Sequence, residues 1–327
     1  MKILWISEMN FKGVIDKSIN NLKSDVALIA SAEAYHIPYL YPLKVEDLNG
    51  FDFMMFNCTQ KFFTEPMIIN NLDEYKKHIK VGFFQEGPIN DWQMWRPREQ
   101  VLWINSMKKI DAYFCSNIRD IPYYKSYVRK EVPVFWLKSP INLERITKNI
   151  KNKEDRDGIV LGGTVMCKWY NGQTSLEIAK ALKDKIYIPS MGRLQDTEPI
   201  WFNSLAKNRI FLLPYSNFDT WINYVSNMKY GVHCMPSVAA GSFTTCLANL
   251  KIPCIGNEEI DTQRLLFPKL SIHPYRDITK GRKLIKRLEQ DDMFYNDIVN
   301  YAFEKVKEWD LDIIRKELYK MIEKIIK

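Results

Sequence analysis

Several features are missing from this 327-residue chain, and each absence excludes a class of protein. No apolar run approaches the roughly 18–20 residues that a membrane-spanning helix needs, so no integral membrane segment is expected. Only Ile3-Leu4-Trp5-Ile6-Ser7 is free of charge between Lys2 and Glu8. That stretch is too short for a secretory signal, and a cytoplasmic protein is the expectation. The six cysteines (Cys58, Cys115, Cys167, Cys234, Cys246, Cys254) are scattered without a C-x-x-C pair, and they sit in or beside apolar runs. Buried free thiols are expected. With four isolated histidines (His36, His78, His233, His273) there is no clustered ligand set for a metal, so none is expected.

Nucleotide fingerprints are missing too. The loop after the first strand, Ser7-Glu8-Met9-Asn10-Phe11-Lys12-Gly13, has one glycine instead of G-x-G-x-x-G, and no G-x-x-x-x-G-K-[ST] occurs. A dinucleotide in the first domain and P-loop chemistry are not expected, and no cofactor is expected. No Ser-His-Asp or Cys-His arrangement and no short repeat is visible.

What remains is ordinary globular material, 46% hydrophobic and 26% charged, with enough apolar residues for two cores. The net charge of +8 permits an anionic partner without identifying one. The densest basic run, Arg276, Lys280, Arg282, Lys283, Lys286 and Arg287, would spread over several faces of a helix.

Strand and helix signals alternate. In the first half, strands are expected at Lys2–Ile6, Val26–Ala30, Phe51–Asn57, Lys80–Phe84, Ala112–Cys115 and Val134–Leu137. Helices are expected at Val14–Leu22, Met67–His78, Arg98–Ile110 and Asp120–Val128. The highly charged Glu144–Asp157 reads as a linker. The alternation then restarts with strands at Gly158–Leu161, Ile186–Pro189, Arg209–Leu213, Tyr230–Met235, Ile252–Gly256 and Lys269–His273. Helices lie between them, one of them at Pro199–Ala206. Helices near Thr279–Leu288, Asp292–Glu308 and Leu311–Ile326 close the chain. Such alternation implies parallel sheets, so the expected fold class is α/β with two Rossmann-like domains facing across a cleft. The expected boundaries are 1–150, 151–309 and a C-terminal helix, 310–327, crossing back to the N-terminal domain.

The chain is organised around Pro236-Ser237-Val238-Ala239-Ala240-Gly241-Ser242-Phe243-Thr244-Thr245. This loop leads from one apolar strand into a helix. The amino end of a helix offers free backbone N–H groups and positive dipole, a ready phosphate site. Gly241, Ser242, Thr244 and Thr245 are its candidate ligands. Gly162 and Gly163, after the strand Gly158–Leu161, would let backbone approach the same ligand, with Thr164 beside them. Lys168 would reach a phosphate as a point charge. Arg193, following a strand, could hold a phosphate or the base, or be a surface charge; Tyr215, following another, could stack on the base, or be a core or turn tyrosine. In the first half, Gln85 and Glu86 end a strand, and Glu86 could act on an acceptor hydroxyl or steady a cationic sugar ring, or cap a helix. Asp91, Trp92, Trp95 and Arg96 follow as a platform suited to a sugar or base, or as domain packing.

These residues resemble the donor-binding domain of GT-B glycosyltransferases, especially the retaining group with the family-4 enzymes. The resemblance covers about Gly158 to Trp309. Gly163-Thr164 with Lys168 is similar to the family's G-R…K-G loop, and Pro236-Ser237…Gly241 to its P-S-x-x-E-G loop. Thr245-Cys246-Leu247-Ala248…Ile252-Pro253-Cys254-Ile255-Gly256 is similar to its E-A-x-A-x-G-x-P-V-I segment. Thr164 stands where an arginine is usual, and Ala240 or Val238, then Cys246, where two glutamates are. The resemblance implies a hexosyltransferase-like enzyme whose co-substrate is a nucleotide-diphosphate sugar, held by Gly163, Thr164, Lys168, Gly241, Ser242, Thr244 and Thr245. It implies Glu86 as catalytic and a glycan, lipid-linked sugar or modified DNA base as acceptor. A nucleotide-sugar epimerase and a non-catalytic nucleotide-sugar-binding module are the alternatives on this architecture.

Overall fold

A computed structural model describes residues 1–21, 24–85, 87, 89, 91–163, 170–189, 209–237, 239 and 241–327. The chain divides into two compact units, Met1–Pro140 with Trp309–Lys327, and Ile141–Glu308. Helices used below are α1 (Ser24–Ala32), α2 (Pro97–Met107), α3 (Gly172–Ala179), α4 (Ser242–Asn249) and α5 (Leu311–Ile326).

The first unit is built on β1 (Ile3–Ser7), β2 (Gly13–Val14), β3 (Tyr35–Pro38), β4 (Phe53–Asn57), β5 (Lys80–Gln85), β6 (Ala112–Cys115) and β7 (Val134–Trp136). They form one sheet in the order β2-β3-β1-β4-β5-β6-β7, parallel except for the β2–β3 pair. Side chains alternate across the pleat, so both faces must be apolar when both are covered. Leu4, Ile6, Met54, Phe56, Val81 and Phe83 fill one core. Ile3, Trp5, Phe53, Met55 and Phe84 fill the other, with Ile314, Leu318 and Ile322 of α5.

Helix α5 is thus part of the first unit. The Ser31 hydroxyl donates to Leu311 O (2.7 Å) and the Tyr319 hydroxyl to Ala32 O (2.9 Å), tying α5 to α1. This explains one misreading. Val26–Ala30 is part of helix α1 and not a strand; Val26, Leu28, Ile29 and Ala30 are all buried. A short apolar run buried on most sides has no periodicity to separate strand from helix. Two further expectations fail. The described part of Val14–Leu22 is not helical, since Gly13–Val14 pairs with β3 at the sheet edge. The expected Met67–His78 helix is two short segments, Met67–Asn70 and Leu72–Tyr75.

The second unit holds β8 (Ile159–Leu161), β9 (Ile186–Pro189), β10 (Ile210–Leu213), β11 (Tyr230–His233), β12 (Cys254–Asn257) and β13 (Ser271–Ile272). The order is β10-β9-β8-β11-β12-β13, with every pair parallel. Pro199–Ala206 lies outside the described residues.

The charged segment Glu144–Asp157 is not a linker. It belongs to the second unit, which begins at Ile141. Arg145 grips the Asp219 carboxylate through two bonds of 2.6 Å. Arg156 is buried, donating to Leu250 O (2.7 Å) and Lys251 O (2.8 Å). Charge density alone hid these tertiary partners.

Candidate nucleotide and acceptor sites

In an open parallel sheet, ligands bind beyond the carboxyl ends of the strands where the strand order reverses. In the second unit the chain runs outward from β8 to β9 and β10, then returns to β11 on the other side of β8. The reversal therefore lies between β8 and β11. Gly162 and Gly163 follow β8, and His233 ends β11.

The loop after β11 is pinned by side chains. Asn171 Nδ2 donates to Cys234 O (3.3 Å) and to Pro274 O (3.1 Å), the Cys234 N–H donates to Ser175 Oγ (3.0 Å), and Asn257 Nδ2 donates to Met235 O (2.8 Å). The loop ends at Gly241, with φ +70°. A Cβ there would stand 1.9 Å from Thr262 Oγ1, so both the left-handed backbone and the close approach require glycine. Helix α4 then starts. The Thr244 and Thr245 amides turn back to Gly241 O (3.1 and 3.3 Å), which leaves Ser242 and Phe243 as the outward amides of the first turn. Ser242 is half-buried.

Thr244 and Thr245, both expected at this site, are buried, and the Thr245 hydroxyl is used inside the helix, donating to Ser242 O (2.9 Å). Ser242 carries the half-buried hydroxyl of the turn. The two glycines after β8 are also required by close packing. A Cβ on Gly162 would lie 2.2 Å from the His233 ring, and one on Gly163 2.4 Å from the Tyr170 ring. They make room for side chains.

His233, at the end of β11, is buried. Its ring meets Phe243 edge-on, at 5.1 Å and 67°. Burial drives its pKa down to about 4. Neither ring nitrogen has a hydrogen-bond partner among the described residues. Leaving such a group unpaired costs about 1–3 kcal/mol.

Tyr215 is 65% exposed just beyond β10, the edge strand, with β9 between it and β8. Thr164, Lys168 and Arg193 lie outside the described residues, as does Cys167. The other five cysteines are buried free thiols.

The first unit has its own reversal, between β1 and β4. The loop after β1 is fixed from below by His36. Its Nδ1 faces Phe11 O (2.7 Å) and so carries the proton; its Nε2 then accepts from the Ser7 hydroxyl (2.8 Å). Across the reversal the Thr59 hydroxyl donates to Glu8 Oε1. Lys61 Nζ stands 3.6 Å from Glu8 Oε2. The Glu8 side chain keeps 28% of its surface exposed. Sequence reading passed over Glu8; the signal was its place directly after the first strand.

Three other expectations in this unit change. Gln85 is buried, and its Oε1 accepts from the Tyr113 hydroxyl (3.2 Å). Trp92 and Trp95 are not a platform. Trp92 stacks on Trp103 (4.5 Å, 12°) and donates to the Tyr123 hydroxyl (2.6 Å), and Trp95 stacks on Phe63 (5.3 Å, 28°). Two large rings gain more by filling this core than by standing in water. Asp91 accepts from Trp95 Nε1 (3.3 Å), and burial raises its carboxyl pKa. Arg96 is exposed at the start of α2, its backbone N–H on Glu99 Oε2 (3.1 Å). Glu86 lies outside the described residues.

No helix among the described residues is long and apolar enough to cross a membrane. No group of metal-ligating side chains occurs among them either.

No protein-family model matches the chain, and no curated protein matches it. Solved structures do. HepE of Anabaena in complex with UDP-glucose shares 10% identity at a TM-score of 0.76, over 99% of this chain and 100% of that one. Sucrose-phosphate synthase of Thermosynechococcus elongatus shares 12% at 0.68, over 99% and 98%. The α,α-trehalose 6-phosphate synthase of Burkholderia multivorans shares 10% at 0.66, over 92% and 76%. At such identities the likeness is one of fold, and it agrees with the sheet orders above: the chain has the GT-B fold seen in these nucleotide-sugar-dependent glycosyltransferases.

Proposed function

We propose that the chain is a glycosyltransferase that moves a sugar from a nucleoside-diphosphate sugar to an acceptor hydroxyl without a metal ion. The observation that carries this reading is the amino end of α4, which presents the Ser242 and Phe243 amides at the strand reversal of the second unit. The fold is shared with proteins whose structures hold UDP-glucose or UDP. Negative charge grows on the diphosphate as the glycosidic bond breaks. Amides and a helix dipole already in place stabilise it without reorganising, commonly the largest catalytic contribution. Gly163, Thr164 and Lys168 would complete the diphosphate site. Tyr215, which is exposed, would serve the base together with Arg193.

On the acceptor side the reading assigns Glu86 to the reacting hydroxyl, with Glu8 and Arg96 binding the rest of the acceptor. A panel of nucleotide sugars in a thermal-shift screen tests the donor half, since a ligand at a hundred times its Kd adds about 2.7 kcal/mol. Glu86→Gln tests the catalytic half. Turnover should fall by roughly 10²–10⁴ with nucleotide affinity unchanged, and a lost nucleotide affinity would overturn the assignment. A new free sugar nucleotide formed from donor alone would mark an epimerase instead. An acceptor affinity that falls steeply with salt would mark a nucleic-acid acceptor over a glycan.

A further inference from the structure

We propose that His233 is a direct ligand of the diphosphate, donating a ring N–H to a phosphate oxygen held at the amino end of α4. This rests on the donor reading above and names a residue that the family motifs do not contain.

The imidazole lies over Gly162 at the end of β8 and edge-on to Phe243 in the first turn of α4. It therefore stands on the floor of the strand reversal, between the two elements that flank the anion site. Gly162 is glycine because the ring occupies the space of its Cβ. His233 is 4% exposed, and neither ring nitrogen is paired among the described residues. A phenylalanine would fill the same space and orphan nothing. A buried polar group kept where an apolar one would fit marks a partner that arrives from outside. A neutral imidazole has one N–H to give and carries no charge that must be desolvated beforehand. It also supplies a donor in a chain where Thr164 stands in place of the arginine usual in this fold's diphosphate loop.

The test uses the full chain and whichever of UDP, GDP and ADP it binds in calorimetry. His233→Phe keeps the contact with Phe243 and the space over Gly162. The proposal expects the Kd for the diphosphate to rise about tenfold or more, while the Kd for the corresponding nucleoside stays within about twofold. A uniform loss for both ligands would show a merely structural effect and overturn the proposal, as would an unchanged diphosphate Kd. If the wild-type chain binds none of the three diphosphates, the donor reading fails and the proposal with it. Should His233→Phe not fold, imidazole ¹⁵N resonances of the wild type decide. Saturating diphosphate must move those of the buried, unpaired histidine, and ring resonances that stay in place overturn the assignment.

Discussion

The Thr59 hydroxyl is bonded to the Glu8 carboxylate across the strand reversal of the first unit, joining the ends of β1 and β4. With Lys61 near its other oxygen, Glu8 is held in one place while part of it faces solvent. An ordered, half-open carboxylate suits the hydroxyls of a polyhydroxylated acceptor, which it can accept without rearranging.

Glu8→Gln keeps the shape and weakens the acceptor contact. We expect acceptor kcat/KM to fall about tenfold, from the loss of a charge-assisted hydrogen bond, with nucleotide affinity unchanged. Steady-state kinetics with varied acceptor checks this; an unchanged acceptor KM and kcat would remove Glu8 from the site.

Acid should expose the cost of burying His233. Its pKa is about 4 in the fold against 6.5 for an ordinary histidine, so between those values the unfolded chain binds the proton and the folded chain does not. The stability it contributes is complete above pH 6.5 and declines as pH falls through about 4. The full loss is about 3 kcal/mol. Urea denaturation of the ligand-free chain from pH 7 to 4 should show this decline, and His233→Phe should flatten it by that amount. Identical profiles would contradict the burial.

Thr245 separates two roles for its hydroxyl. Because that hydroxyl donates to Ser242 O, Thr245→Val should cost about 1 kcal/mol of stability and leave nucleotide-diphosphate affinity within about twofold. A tenfold loss of affinity at unchanged stability would restore the hydroxyl to the phosphate site.

Trp92→Ala should cost about 3–5 kcal/mol, because it empties the space stacked against Trp103. Trp92→Phe should cost less and leave acceptor KM unchanged. A raised acceptor KM in a fully stable Trp92→Phe variant would mean the ring does reach substrate.

The periodicity of apolar runs was enough to read the parallel sheets, the strand-loop-helix at Pro236–Ala248 and the closing helix Leu311–Ile326, because the inner strands of both sheets are buried on both faces. It failed at Val26–Ala30, where a short helix is covered nearly all round, and at Glu144–Asp157, where charge concealed bonds to Asp219 and to the Leu250 and Lys251 carbonyls.

Residue types at strand ends pointed to candidate sites. They did not say which side chains face a ligand. A glycine, a threonine or a tryptophan can serve a ligand or a neighbour, and only packing chooses. Gly162 serves His233, Thr245 serves Ser242 and Trp92 serves Trp103. The sequence by itself determined the α/β class and the strand-loop-helix around Gly241, because both follow from local pattern. Tertiary structure alone decided that His233 and Glu8 stand at the two strand reversals, because strand order is set by contacts between residues far apart in the chain.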